Sequence, residues 1–331
     1  MATERVLSGM RPTGKLHFGH YKGVLTNWLK LQQEYDCYFF VADWHALTTD
    51  YADPSSIKEN ITEMTLDWLS VGIDPEKSDI FLQSSVPEHA ELMVLLSMIT
   101  PVPWLERNPT YKEQQEELKD KDIHTHGFLG YPVLQTADII MYKANKVPVG
   151  IDQAPHVELS REITRRFNNF YGSVFPEPQT LLAPTPKVLG TDGRKMSKSY
   201  NNSVYLTDPP ATVEKKLKTM VTDTARKRKT DPGNPDVCPF FETFHTLYAN
   251  DDEQAEIREG CTTAAFGCID CKMRVIPKVL EELEPIREKR AELVATPGIV
   301  KSVLKDGTER ARAVARTTMD EVRRAMGLNF F

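Results

Sequence analysis

The chain has 331 residues, 40% of them hydrophobic and 27% charged, enough for one large α/β core with a smaller one beside it. A net charge of −6 argues against general coating of nucleic acid, so any RNA contact has to come from local patches. No apolar run reaches the roughly 18 residues of a membrane span, and the first residues lack a signal peptide's apolar stretch, so no membrane association and a cytoplasmic location are expected.

Val6-Leu7 is a short apolar run; Thr13-Gly14-Lys15-Leu16-His17-Phe18-Gly19-His20 follows, and Tyr21, Val24, Leu25, Trp28 and Leu31 then recur at helical spacing. Strand, loop and helix in that order put His17 and His20 at a helix entry, where free backbone N–H groups attract anions and the imidazoles add donors. Gly19 lets a nucleotide approach the backbone closely. Read alone, a helix-entry histidine is more often a cap or a core filler. Tyr38-Phe39-Phe40-Val41 and Ile80-Phe81-Leu82 are further strand-like runs separated by helical segments. The alternation predicts an α/β fold with a Rossmann-like parallel sheet, a nucleotide lying at the strands' C-terminal ends. Cys37, inside the second run, reads as a buried small hydrophobe.

Residues from about 85 to 130 read as an insert in that fold. Its apolar segment from Leu92 to Met98 supplies core or subunit-interface residues, and a charged stretch runs from Glu106 to Asp122. Tyr131, Gln135 and Asp138 share one face if their segment is helical. Lys195-Met196-Ser197-Lys198-Ser199, preceded by Gly190-Thr191-Asp192-Gly193-Arg194, places two lysines and an arginine in a glycine-flanked loop. Short side chains let such a backbone approach phosphate oxygens, and the ammonium groups neutralise charge on a leaving pyrophosphate. Five such residues alone are equally a solvated basic linker.

Asp208-Pro209-Pro210 marks a break, and the remainder reads mainly as helix. The expected organisation is a catalytic domain over 1–187, a lysine loop over 188–206 and a helical domain over 207–331. Lys215-Lys216 and Arg226-Lys227-Arg228-Lys229 offer phosphate contacts without sequence reading, or are solvated helix faces. In the final helix Ala311, Ala315, Thr318, Val322 and Met326 share one face, with Arg312, Arg316 and Arg323 elsewhere on the cylinder. Cys238, Cys261, Cys268 and Cys271 follow the spacing C-x22-C-x6-C-x2-C, and four thiolates suffice to close one metal site. Disulfides are not expected in a cytoplasmic protein. Structural zinc sites more often present two close pairs, so the readings, in order, are a [4Fe-4S] cluster, zinc and plain thiols.

The HFGH element at 17–20 and the KMSKS element at 195–199, about 175 residues apart, resemble the two signatures of class I aminoacyl-tRNA synthetases, with Phe18 where the first usually has isoleucine. Asp43-Trp44-His45-Ala46-Leu47-Thr48, Tyr131-Pro132-Val133-Leu134-Gln135-Thr136-Ala137-Asp138, Gly150-Ile151-Asp152-Gln153 and Val322-Arg323-Arg324-Ala325-Met326-Gly327-Leu328 extend the likeness along nearly the whole chain. Within the class they resemble the tryptophanyl-tRNA synthetase family. That resemblance implies catalytic roles for His17, His20, Lys195 and Lys198. It implies an ATP site that also takes in Arg11, Thr13, Gly14, Gly19, Asp152, Met196 and Ser197. It further implies a tryptophan pocket of Leu7, Gly9, His45, Tyr131, Gln135, Asp138 and Gln153, in which Asp138 accepts the indole N–H and Gln153 meets the substrate's ammonium or carboxylate. Leu7 replaces a commonly aromatic pocket residue.

By the same resemblance the second domain binds the anticodon, ATP is a substrate whose Mg²⁺ is held mainly by ATP and water, and the cysteines match a bacterial subset carrying a [4Fe-4S] cluster beside the anticodon-binding region. Such a cluster is structural or RNA-positioning, because amino-acid activation needs no electron. The implied partners are L-tryptophan, the tRNA for tryptophan and a second copy in a homodimer. Gln135, where the commoner bacterial pattern has methionine, is reminiscent of tyrosyl-tRNA synthetases, and aspartate accepts from a phenol as well as from indole, which makes tyrosine the alternative amino acid. Gly9 to Gly14 and the C-terminal match favour tryptophan. A small-molecule nucleotidyltransferase is disfavoured by the helical second domain. A noncatalytic RNA-binding paralogue is disfavoured because it has no use for His17, His20, Lys195, Lys198 and Asp138 together.

Overall fold

Five strands, β1 (Arg5–Met10), β2 (Asp36–Val41), β3 (Ser78–Leu82), β4 (Lys146–Val149) and β5 (Gln179–Leu182), form one parallel sheet in the order β3-β2-β1-β4-β5. The structure is a computed structural model describing residues 4–108, 111, 122–182 and 187–330; the side chain of Asp152 and most of the charged stretch from Glu106 to Asp122 lie outside the described residues. The chain walks from β1 outward to β3 and re-enters at β4 on the opposite side of β1. That reversal opens a crevice beyond the C-terminal ends of β1 and β4, where doubly wound sheets bind ligands.

The first three strands fall on the apolar runs. Val6, Cys37, Phe39, Val41 and Ile80 enter one core, whereas Leu7, Tyr38, Phe40 and Phe81 enter the other. This is the period-two alternation of strands covered on both faces. Helix α1 begins within the first signature and runs in three consecutive segments, Phe18–His20, Tyr21–Leu25 and Thr26–Leu31, the middle one π-helical. The apolar spacing predicts a regular helix here. The extra residue in the π turn leaves Val24 only partly covered while Tyr21, Leu25, Trp28 and Leu31 stay buried.

Helices α2 (Asp43–Asp50), α3 (Ile57–Ser70), α4 (Glu88–Ser97), α5 (His126–Met141) and α6 (Ala154–Tyr171) complete the sheet's surroundings. In α4, Leu92, Leu95 and Leu96 are core residues, while Val94 and, just past its end, Met98 are exposed. α5 starts where Thr125 Oγ1 accepts the Phe128 N–H at 3.1 Å.

Beyond Pro209 come α7 (Pro210–Thr219), α8 (Asp251–Thr262), α9 (Cys268–Met273), α10 (Ile276–Val294) and α11 (Ile299–Ala325), with no strand among the described residues. α10 buries Val279, Leu283 and Ile286 in the core that holds Val6 and Trp28. α11 returns to the other core, where Ala311, Ala315, Met319 and Val322 meet Leu7, Tyr38, Phe40 and Phe81. Its backbone comes so near β3 that a Cβ on Gly307 would stand 2.0 Å from the Ile80 carbonyl oxygen. The arginines off that face reach back to α4: Arg312 Nε lies 3.1 Å from Glu88, and Arg323 Nη2 lies 2.6 Å from Glu91. Among the described residues no helix is long and apolar enough to cross a membrane.

Candidate active site

β1 delivers the first signature to the crevice, and a short antiparallel crossing brings the second signature to it. Phe18 N–H donates to the Val204 carbonyl at 2.8 Å and Leu206 N–H donates to the Leu16 carbonyl at 3.1 Å. The His17 and His20 rings lie 3.8 Å apart, and the His17 backbone N–H donates to His20 Nδ1 at 3.3 Å. That bond leaves the proton of a neutral His20 on Nε2. Burial, then the charge of Lys198, brings His17 down to about 4. His20 is held well below its ordinary value by burial, then His17 and Lys198. Both are therefore neutral hydrogen-bond donors at pH 7. His17 Nδ1 is buried with no partner among the described residues.

Burial lowers Lys198 to about 8, against the attraction of Asp67. Asn202, 1% exposed, organises the loop around it: its Oδ1 accepts from Ser197 N–H at 2.8 Å, and its amide donates to Asp192 at 2.7 Å and to the Lys195 carbonyl at 3.2 Å. Position 190 has to be glycine, because a Cβ there would stand 2.2 Å from Asn202. Arg194 is paired with Asp192 and lies over the Tyr200 ring, so it is not a free phosphate contact.

On α5, Tyr131 and Asp138 are buried and Gln135 is half-buried. Asp138 is saturated. Its Oδ1 accepts from His89 Nδ1 at 2.6 Å, its Oδ2 accepts from His45 Nε2 at 2.7 Å, and Gln83 Nε2 lies 2.9 Å from both oxygens. Burial alone would raise its carboxyl; the His45 bond, then the charge and bond of His89, overcome this and hold it at about 2. The Tyr131 hydroxyl pairs with His156 Nε2 at 3.1 Å, and Asn108 donates to the other nitrogen of that ring at 3.0 Å. Burial pushes Tyr131 up, with Arg11 close enough to oppose it.

In the helical part, Cys238, Cys261, Cys268 and Cys271 line one cavity walled by Phe240, Phe241, Ile257 and Phe266, with Arg226 and Lys272 at its edge. None of the four is in a disulfide. Thr222 Oγ1 lies 3.7 Å and Arg226 Nη1 3.9 Å from Cys268 Sγ, and His245 Nε2 lies 3.2 Å from Cys271 Sγ. No group of three His, Cys, Asp or Glu side chains that could hold a metal ion is found among the described residues.

Residues 2–284 match the family described as class I tRNA synthetases (W and Y). The tryptophan–tRNA ligase of Thermotoga maritima is 54% identical over 327 residues, covering 98% of this chain and 100% of that relative. The chain belongs to the tryptophan–tRNA ligase family. Its relative in Ralstonia nicotianae is 44% identical, with both chains covered in full. The tryptophanyl-tRNA synthetase of Campylobacter jejuni, solved with ADP and tryptophan, superimposes with a TM-score of 0.86 at 34% identity over 98% of this chain and 100% of that one. A tyrosyl-tRNA synthetase from Archaeoglobus fulgidus, at 20% identity and a TM-score of 0.65 over 88% of this chain and 90% of that one, shares the fold.

For a tryptophan–tRNA ligase family member, the structure gathers His17, His20, Gly19, Met196, Ser197 and Lys198 around the signature crossing, with Gly14 facing the Lys198 ammonium. Lys195, Arg11 and Thr13 are exposed around it. His45, Tyr131 and Asp138 gather at α5. Gly9 lies against the Phe40 ring, Leu7 is a core residue, and Gln153 sits on a short turn leading into α6. Arg226 of the basic run turns inward to Cys268 and to the Phe266 carbonyl, and Lys216 of the lysine pair is held by Asp208 and the Ser203 carbonyl, so both are engaged within the fold. Asn202, Gln83, His89 and His156 were not legible as site residues. Gln83, directly after β3 on the crevice side, carried the one usable signal.

Proposed function

We infer that the chain joins L-tryptophan to its tRNA in two steps at the expense of ATP, with the signature crossing as its ATP site. A carboxylate oxygen of tryptophan attacks the α-phosphorus, and the bond to the β-phosphate oxygen breaks, releasing pyrophosphate. A ribose hydroxyl of the tRNA end then attacks the adenylate carbonyl and AMP leaves. Neither step needs a protein nucleophile, so the residues act by alignment and charge. His17 and His20, neutral and at a helix entry, donate to phosphate oxygens without competing for protons. Lys195 and Lys198 meet the charge gathering on pyrophosphate; the Mg²⁺ travels with ATP. Arg11, Thr13, Gly14, Gly19, Asp152, Met196 and Ser197 complete the ATP site. The observation that carries this reading is the crossing that joins residues 16–18 to 204–206.

Tryptophan occupies the pocket of Leu7, Gly9, His45, Tyr131, Gln135, Asp138 and Gln153. Asp138 takes the indole N–H, and His45, the partly accessible one of its three donors, gives way to it. Residues 1–187 form the catalytic unit, with the insert at about 85–130, followed by the loop at 188–206 and an anticodon-binding part at 207–331. The protein acts in the cytoplasm as a homodimer.

The four cysteines hold a [4Fe-4S] cluster. Cys238, Cys261, Cys268 and Cys271, free of disulfides around one apolar cavity, would be its thiolate ligands. Bound there, it would cross-link α8, α9 and the segment around Cys238. The test is amino-acid-dependent ATP–pyrophosphate exchange on anaerobically purified protein, with tryptophan against tyrosine. Exchange with tryptophan alone supports the reading and exchange with tyrosine alone overturns it. Iron and sulfide near four each per chain, absent from Cys268→Ser, support the cluster, whereas zinc or no metal removes it.

A further inference from the structure

α10 makes two polar contacts near the first signature, one with the start of α1 just after it and one with α3. Glu282 accepts from Lys22 Nζ at 2.6 Å and from the Tyr21 hydroxyl at 2.9 Å, and it also takes the Tyr248 hydroxyl. Eight residues further on, Arg290 Nε donates to Asp67 Oδ1 at 2.8 Å and its Nη2 to Glu63 at 2.7 Å. Asp67 is fully buried on α3, and its other oxygen accepts the Leu16 N–H at 3.0 Å. Leu16 immediately precedes His17, and its carbonyl accepts from Leu206 in the crossing. Lys198 has the same carboxylate as its counter-charge. One buried carboxylate therefore bonds the backbone just before the first signature and a guanidinium from the helical part, and its charge is felt at Lys198 of the second.

Removing a carboxylate from water is costly, and an aspartate placed only to tie α3 to α10 would have its partner in Arg290 alone. The bond to Leu16 does something else. It fixes the backbone one residue before the imidazole, in a loop whose neighbouring glycine leaves it conformationally free. We propose that Asp67 is a positioning residue for the ATP-dependent step, setting the first signature loop through Leu16 and the Lys198 ammonium through its charge, and held in place by Arg290. It touches neither substrate. It acts through Leu16 and Lys198, so its loss affects the ATP side of the reaction and spares the tryptophan pocket, which is built on α5.

The proposal rests on the ligase reading, and the test separates the two. Trp-dependent exchange by the unaltered protein tests the reading; Asp67→Asn, nearly isosteric and still able to accept from Leu16, tests the proposal. The expected result is a fall in kcat for exchange of about ten-fold or more. KM for tryptophan should stay within about two-fold of its original value by the same reasoning. The alkaline limb of kcat/KM for ATP should move to lower pH, because Lys198 has lost its counter-charge. Unchanged kcat and an unmoved limb, with only a lower Tm, would reduce Asp67 to a structural tie and overturn the proposal. Should that variant fail to fold, Arg290→Lys keeps a cation beside Asp67 but loses the planar fork shared with Glu63. Reduced exchange at unchanged KM for tryptophan then supports the proposal, and exchange equal to that of the unaltered protein refutes it.

Discussion

Lys198 is half-buried beside two histidines, and burial brings it down to about 8. The protonated amine is the form that meets phosphate; it predominates below that value and disappears above it. kcat/KM for ATP, which reports the free enzyme, is expected to fall along an alkaline limb near pH 8, and Lys198→Arg should push the limb out of range because a guanidinium stays charged. His17 gives a second titration, of folding. Its folded value of about 4 lies below the ordinary 6.5, so its contribution to stability is complete above pH 6.5. Below that the unfolded chain takes up a proton that the folded chain refuses, and stability declines until the folded ring titrates near 4. Denaturant unfolding across that range should show the decline, weakened by roughly 1–3 kcal/mol in His17→Gln. His17, His20, Lys195 and Lys198 stand out in the sequence because glycines and a fixed spacing frame them. Asp67 and Asn202 do not, since an aspartate at position 67 looks like any helix-surface acid until Leu16 and Arg290 are seen folded around it.

At the level of elements, Phe18 joins the signature helix to the helical part. It is fully buried and stacks on Phe244 at 5.5 Å and Tyr248 at 6.2 Å; Phe244 in turn stacks on Phe240, a wall of the cysteine cavity, at 5.1 Å. The aromatic side chain where isoleucine is usual thus fills space between α1 and the turn at Phe241–His245. Phe18→Ile should cost roughly 1–3 kcal/mol in denaturant unfolding, because the site cannot close over the missing ring. An unchanged midpoint would show that the stack is loosely packed. Pattern reading found β1, β2 and β3, whose runs are continuous and apolar, and the amphipathic α11. It passed over β4 and β5, four residues each, because Lys146 and Pro148 break the apolar signal in one and the other is only partly buried. The π turn in α1 has no sequence signature, being a consequence of how the helix entry is pinned by the crossing.

In the molecule as a whole, the two cores are closed by helices from distant parts of the chain: α10 on one face of the sheet, α11 on the other. Gly307→Ala probes the second closure, because its methyl would meet the Ile80 carbonyl at 2.0 Å and force α11 away from β3. Overpacking of this kind costs roughly 1–3 kcal/mol, and a lower Tm together with weaker exchange would place α11 among the supports of the catalytic sheet. The same closure has a consequence for synthesis. Both signatures and all five strands leave the ribosome before Ile299, yet Leu7, Tyr38, Phe40 and Phe81 keep an uncovered flank until Ala311 to Val322 follow them. A growing chain therefore carries its nucleotide-binding residues for some time on a sheet that cannot finish folding. Chains halted between Leu206 and Ile299 would be substrates for chaperones and proteases rather than partial enzymes.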